Sequence, residues 1–205
     1  MNAAELLRGL RVVPVVVVDD ADKAVTLART LLDAGLQAIE VTLRTPAALE
    51  AIERIATDVP DMIVGAGSVR HAAQVSDVIS AGAQFGVCPG SSPALLDAMD
   101  QAGLPFIPGA ITPSETLALL ERGYALQKLF PAELSGGVNY LKGIAAPIPE
   151  ARFMPTGGIT VENAPTYLAL DNVACIGGTW IVPPQALAAS NFDAIGDLAR
   201  AAAAL

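Results

Sequence analysis

Histidine is nearly absent from this 205-residue chain, where His71 is the single example. That argues against a zinc-dependent lyase, whose site generally needs a histidine-rich cluster, and somewhat less strongly against a Ser-His-Asp hydrolase. His71 itself follows "GAGSVR" at an expected helix start, where a solvated or capping role fits. Cysteine is almost as scarce. Cys88 and Cys175 lie far apart in apolar, strand-like segments with no Cys-x-x-Cys spacing, which reads as two buried free thiols in a reducing cytoplasm. No apolar run reaches the roughly 18 residues of a membrane span, and "MNAAELLRGL" has no signal-peptide core, so a soluble intracellular protein with no membrane partner is expected. Basic residues are outnumbered 21 to 12, and the net charge of -9 opposes nonspecific attraction to nucleic acid or anionic lipid. An anionic small molecule still fits if its site is locally positive.

The chain is 53% hydrophobic but only 4% aromatic, rich in small and β-branched residues, which suits helices packed on a parallel sheet. Strand-like runs alternate with helix-like stretches: "RVVPVVVV", "AIEVTLR", "IVGAGS", "FGVCPG", "PFIPGA", "ALQKLF", "RFMPTGG" and "VACIGGT". They recur every 20 to 27 residues or so, the length of a strand plus a helix. Thr45-Pro46, Ser92-Pro93 and Thr112-Pro113 each place an N-cap before a proline at the first helical position, with Glu115 completing a capping box, while Gly35, Gly82, Gly103 and Gly123 mark helix ends. No linker divides the chain. The pattern predicts one α/β domain over residues 1–205, a (β/α)8 TIM barrel preceded by an extra N-terminal helix in "NAAELLRGL". An open doubly wound sheet is the alternative, but its Gly-x-Gly-x-x-Gly turn after the first strand is missing.

Side chains alternate along a strand, so Ala38, Glu40, Thr42 and Arg44 share one face and Ile39, Val41 and Leu43 the other. Helices cover the outside of a parallel barrel, so the apolar set faces them and the polar set points inward. The same parity turns Leu126, Lys128 and Phe130 inward, and "IVGAGS" ends on Ser68. Lys128, Glu40 and Arg44 are thereby candidates for one cavity. They form either an internal salt bridge that only neutralises buried charge, or working chemistry, since buried ion pairs often add little net stability. Near Arg44 and apolar walls Lys128 should hold its proton less tightly, as an imine-forming amine must.

A second signal lies in glycine. "PTGGI" and "IGGTW" close the seventh and eighth strands, where barrels commonly bind phosphate through backbone N–H groups and a helix N-terminus. Thr179 offers a hydroxyl donor. Glu133 reads as a rim residue, Trp180 as packing, and Asp19, Asp20 and Asp22 as a solvated loop, with magnesium binding the lesser reading.

The motifs "EVTLRT", "VGAGSV", "AQFGVCPG", "IPGAITPSE", "KLFPAE", "FMPTGGI" and "CIGGTW" together resemble the 2-keto-3-deoxy-6-phosphogluconate (KDPG) and 2-keto-4-hydroxyglutarate (KHG) aldolase family, over nearly the whole chain. The resemblance implies a class I, metal-independent lyase in a (β/α)8 barrel, usually a homotrimer, with no cofactor beyond a covalent imine on Lys128. It implies cleavage of KDPG to pyruvate and glyceraldehyde 3-phosphate in the Entner-Doudoroff pathway, and of 4-hydroxy-2-ketoglutarate as a second substrate. Glu40 becomes the acid/base carboxylate, and Arg44 with Ser68 holds the pyruvyl carboxylate. Gly157, Gly158, Gly178 and Thr179 take the phosphate, while Pro89, Phe130 and Thr156 line the pocket. The chain departs from the family pattern at Ser68, Thr179, Cys88 and Leu129, and Cys88, placed beside the pocket, bears on substrate preference. Two other functions stay open on the residues alone: a phosphosugar isomerase or epimerase, supported by the glycine turns, and a non-catalytic phosphometabolite-binding barrel.

Overall fold

Apolar residues recur at helical spacing between the strands, and in the computed structural model, which describes residues 1–205, those stripes are the buried faces. In α2 (Ala24–Asp33) the buried set is Ala24, Leu27, Ala28 and Leu31, and in α3 (Ala48–Asp58) it is Ala48, Ala51, Ile52 and Ile55. Both follow i, i+3, i+4, i+7. Each Leu or Ile so buried stabilises the fold by roughly 1.5–3 kcal/mol. Ahead of them, α1 (Ala3–Leu6) is a single turn whose Asn2 and Glu5 cap one another. The remaining helices are α4 (Ala72–Ser80), α5 (Pro93–Ala102), α6 (Pro113–Glu121), α7 (Gly137–Ala145), α8 (Ala164–Leu168), α9 (Pro184–Ala188) and α10 (Phe192–Ala203).

Eight strands fall within the eight runs expected from the sequence: β1 (Val12–Val16), β2 (Ala38–Thr42), β3 (Ile63–Gly67), β4 (Phe85–Val87), β5 (Phe106–Ile107), β6 (Leu126–Leu129), β7 (Arg152–Pro155) and β8 (Ile176–Gly178). Every pairing is parallel. The curled sheet is not uniformly paired. Six strands run in the order β5-β4-β3-β2-β1-β8, and β6-β7 form a separate pair. Isolated parallel bridges connect the two parts: Gly109 to Lys128 at one seam, and Phe153 to Val173 and Thr156 to Gly177 at the other. Prolines stand at both seams: Pro108 follows β5 and Pro155 ends β7, and neither has an N–H to extend a ladder.

Side-chain parity divides the apolar residues into two layers. Ile39, Val41, Leu129 and Phe153 pack with the helices in a cluster of 49 buried residues. Val13, Ala38, Phe85, Val87, Ile107, Leu126, Met154 and Cys175 form a smaller inner cluster, joined by Ala3 and Leu7 from the first turn and its C-terminal flank. Glycine makes room there, because a methyl at Gly65 would overlap the Phe85 ring.

One local expectation needs correction. Thr45 does not cap a helix: α3 starts at Ala48, and the Thr45 hydroxyl donates instead to the Val18 carbonyl. Thr45 is thus tied to the loop after β1, in a bend that Pro46 and Ala47 continue as a turn into α3. Ser92 and Thr112 do cap α5 and α6, and Glu115 closes the box on Thr112. His71 precedes α4, where the Gln74 side chain accepts from the His71 N–H.

Candidate active site

Strands β2 and β6 present one carboxylate and one amine to each other. Lys128 Nζ donates to Glu40 Oε1 at 2.9 Å and to Oε2 at 3.1 Å. Glu40 is 0% exposed and Lys128 5%, so the pair is dry and its charges depend on each other. Gly67 on the neighbouring strand is part of this geometry, since a methyl there would overlap the Glu40 carboxylate. The Phe130 ring centre lies 5.9 Å from Lys128 Nζ, within cation–π range. The same ring also lies against Gly157, 3.2 Å from where a side chain there would begin. The Lys128 backbone is fixed too: its N–H donates to Pro108 O and its carbonyl accepts from Ala110.

Arg44 lies beyond the strand that carries Glu40. β2 ends at Thr42, and the Arg44 N–H turns back onto the Thr42 carbonyl at 2.7 Å, so Arg44 stands exposed at the rim. Its Nε donates to Ser68 Oγ at 3.2 Å. Ser68 has φ 57, a left-handed conformation that costs a non-glycine residue about 1–3 kcal/mol, and it directly follows Gly67 beside Glu40. Arg44 and Ser68 are thus one pair, joined to the Lys128–Glu40 pair through Gly67.

The two glycine turns lie side by side, because the Thr156–Gly177 bridge joins the ends of β7 and β8. Thr156 is 1% exposed and its Oγ1, wedged against Gly177, has no hydrogen-bond partner. Gly157 and Gly158 have φ of 96 and 79, a conformation open to glycine. Thr179 is exposed beside Gly178, which packs under Trp180. The expected helix N-terminus is not at the first turn: α8 begins only at Ala164, after a bend and a further turn. Pro89 is half-buried past the end of β4, its carbonyl pressed on Gly109.

Cys88 is not beside the pocket. It follows β4 with the parity of Gly86, joins the outer layer, and its Sγ meets Met99 Sδ on α5 at 3.7 Å. Both thiols are free and buried, and desolvation pushes each pKa up to about 12, so both stay protonated at neutral pH. The acidic trio is dispersed: Asp20 accepts from the Asp22 N–H, and Asp22 pairs with Arg54. A cavity of about 530 Å³ opens at the opposite end, lined by Asn2, Glu5, Arg8, Arg152 and Cys175, away from the amine and carboxylate.

One residue expected merely at the rim has a partner. Glu133 Oε1 accepts from the Tyr167 hydroxyl on α8, while its backbone N–H donates to Gly157 O at 3.1 Å. Burial, and after it this bond to Glu133, pushes the Tyr167 pKa up, so the phenol stays a donor. Residues 34 apart in sequence give no local signal of such a bond. Gly67 does leave one: glycines at Gly65 and Gly67, two apart on an inward face, mark room for larger neighbours.

A buried amine bonded to a carboxylate, at the C-terminal edge of a parallel α/β sheet, is the equipment of an enzyme that attacks carbonyl groups through an amine. Comparisons with known proteins agree. Residues 3–198 match the family model described as KDPG and KHG aldolase. The chain is 48% identical to a 2-dehydro-3-deoxy-phosphogluconate aldolase of Pseudoalteromonas atlantica over 94% of this chain and 90% of that one. It is 46% identical to the KHG/KDPG aldolase of Escherichia coli K12, over 98% and 94%. A crystal structure of KDPG aldolase from Legionella pneumophila, with pyruvate captured as a covalent carbinolamine intermediate, superposes with TM-score 0.95 at 40% identity, covering 98% of both chains. The chain belongs to the KDPG and KHG aldolase family.

Proposed function

We propose that this chain is a class I aldolase that cleaves KDPG to pyruvate and glyceraldehyde 3-phosphate through an imine on Lys128. The observation that carries this reading is the buried Lys128–Glu40 pair, with the glycine turns reached across Phe130. Lys128 gives up a proton, attacks the C2 ketone to form a carbinolamine, and loses water to leave an iminium. Glu40, directly or through one water, takes the C4 hydroxyl proton. The C3–C4 bond then breaks and its electron pair enters the iminium, giving an enamine and releasing glyceraldehyde 3-phosphate. Protonation at C3 and addition of water free pyruvate and restore the amine.

Arg44, oriented by Ser68, holds the substrate carboxylate through a forked contact, and Gly157, Gly158, Gly178 and Thr179 receive the phosphate. Thr156, Pro89 and Phe130 wall the space between. Fixing both ends of the substrate aligns the scissile bond with the amine. KHG is the second substrate, a reading the name of the Escherichia coli relative supports.

In this reading the two sheets close into a (β/α)8 barrel of one domain, with α1 as an extra helix stoppering the end away from the site. The meeting of side chains from β2 and β6, and the isolated bridges at both seams, support closure. A homotrimer rests on the family resemblance. No helix is long and apolar enough to cross a membrane, and the two free thiols suit a cytoplasmic protein. The chemistry calls for no metal.

Borohydride added with pyruvate should fix a covalent mass on Lys128, located by peptide mass spectrometry. No adduct, or an adduct elsewhere, would sink the imine mechanism and leave an isomerase or a non-catalytic binding barrel.

A further inference from the structure

The glycine turn expected to receive phosphate has little side-chain substance of its own, so something outside it must hold its shape. Glu133 does so in three ways. Its backbone N–H donates to Gly157 O at 3.1 Å, following the Ala132 N–H on Thr156 O at 2.8 Å. Its Cβ and Cγ occupy the place a Gly158 side chain would take, 2.6 Å from where that methyl would stand. Its carboxylate is then bound by the hydroxyl of Tyr167, a fully buried residue of α8, the helix that follows the turn. The pair closes over Gly137, where a methyl would stand 2.9 Å from the Tyr167 hydroxyl and 3.2 Å from Glu133 Oε1. On the other flank Asn163 Nδ2 donates to Gly158 O at 3.2 Å. The loop after Lys128, the glycine turn and α8 are thereby tied at one point.

We propose that Glu133, locked by Tyr167, is a positioning residue that sets the Gly157–Gly158 turn for the substrate phosphate; this rests on the aldolase reading above. The placement is otherwise hard to explain, because a carboxylate beside a phosphate site repels the ligand. Charge and positioning therefore predict opposite signs. If Glu133 were only a nearby charge, removing it would tighten phosphate binding; as a positioning residue, removing it loosens the turn and weakens binding.

The full chain is assayed with KDPG, and separately by the rate at which borohydride traps pyruvate on Lys128, a reaction without a phosphate. Glu133→Ala should raise KM for KDPG by about 10-fold or more and Tyr167→Phe by about 3- to 10-fold, as expected when one charge-assisted bond and its alignment are lost. In both, kcat and pyruvate trapping should stay near wild type. Glu133→Gln keeps the stem against Gly158 and an acceptor for the phenol, and should restore KM to within about threefold of wild type. An unchanged or lower KM in Glu133→Ala overturns the proposal, as does loss of pyruvate trapping in step with KM, which would mean general damage. Tyr167→Phe, with its packing intact, decides the matter should Glu133→Ala not fold. A wild-type protein that neither traps nor releases pyruvate would overturn the aldolase reading and this proposal together.

Discussion

Lys128 Nζ reaches both oxygens of Glu40, at 2.9 and 3.1 Å, although the two residues are 88 apart in sequence and stand on β6 and β2. Their burial makes each costly without the other. Lys128→Met should abolish turnover and pyruvate trapping, and should destabilise the fold by about 3–5 kcal/mol at neutral pH by stranding the Glu40 charge. Pairing it with Glu40→Leu should recover most of that loss in an inactive protein, read by urea denaturation of the two variants. A double variant no more stable than Lys128→Met would mean that the pair, despite its burial, holds the sheet together.

Glu40→Gln separates binding from proton transfer. The amide is nearly isosteric but no base, so KDPG turnover should fall by about 10²- to 10⁴-fold while borohydride still traps some pyruvate on Lys128. Wild-type turnover in this variant would remove Glu40 from acid/base work.

Much of this was legible in the sequence because period-2 alternation on a helix-covered sheet leaves little choice about direction. Parity alone turned Glu40 and Lys128 inward and Ile39, Val41 and Leu129 outward, as the two apolar layers have them. Its reach ends where strands stop. Arg44 lies past the end of β2, in a turn without the alternation, and the motif around Cys88 points to the pocket whereas its parity points to α5. The interrupted pairing was harder to foresee, since it depends on which ladder positions Pro108 and Pro155 occupy. The Glu133–Tyr167 bond had no signature in local periodicity.

Gly67→Ala tests whether space beside Glu40 is part of the mechanism. Gly67 does not have the left-handed backbone that resists a side chain, so the added methyl acts through its overlap with the Glu40 carboxylate. Displacing that group by even an ångström should lower kcat by about 10²-fold, with a stability loss of about 1–3 kcal/mol from overpacking. Gly90→Ala, where nothing stands within 4 Å, is the matched control and should keep full activity. Equal kinetics in the two variants would show that Glu40 tolerates the shift.

Arg44→Lys keeps the positive charge at the rim but not the fork. One guanidinium nitrogen is engaged by Ser68 at 3.2 Å, leaving the others to meet a carboxylate, a geometry an ammonium does not reproduce. Steady-state kinetics should show kcat/KM falling by about 10- to 100-fold, one to two powers of ten for roughly one charge-assisted bond. A change under twofold would mean that Arg44 contributes charge alone.

Alkaline stability follows from the thiols. Cys88 and Cys175 are each raised from 9.0 to about 12 by desolvation, so the folded chain keeps two protons that the unfolded chain releases first. Unfolding is then accompanied by proton release, and stability must fall as pH rises. The contribution is fully present below about pH 9 and is lost progressively toward pH 12. Urea denaturation between pH 8 and about pH 11 should show this decline in the wild type, and a shallower one in a Cys88→Ala, Cys175→Ala double variant, whatever offset the two small cavities add. In the same window iodoacetamide should label the native thiols far more slowly than the unfolded ones, because it reacts with thiolate. Parallel pH profiles in the two proteins, or rapid native labelling near pH 9, would mean that one thiol is reached by water and ionises in the folded chain.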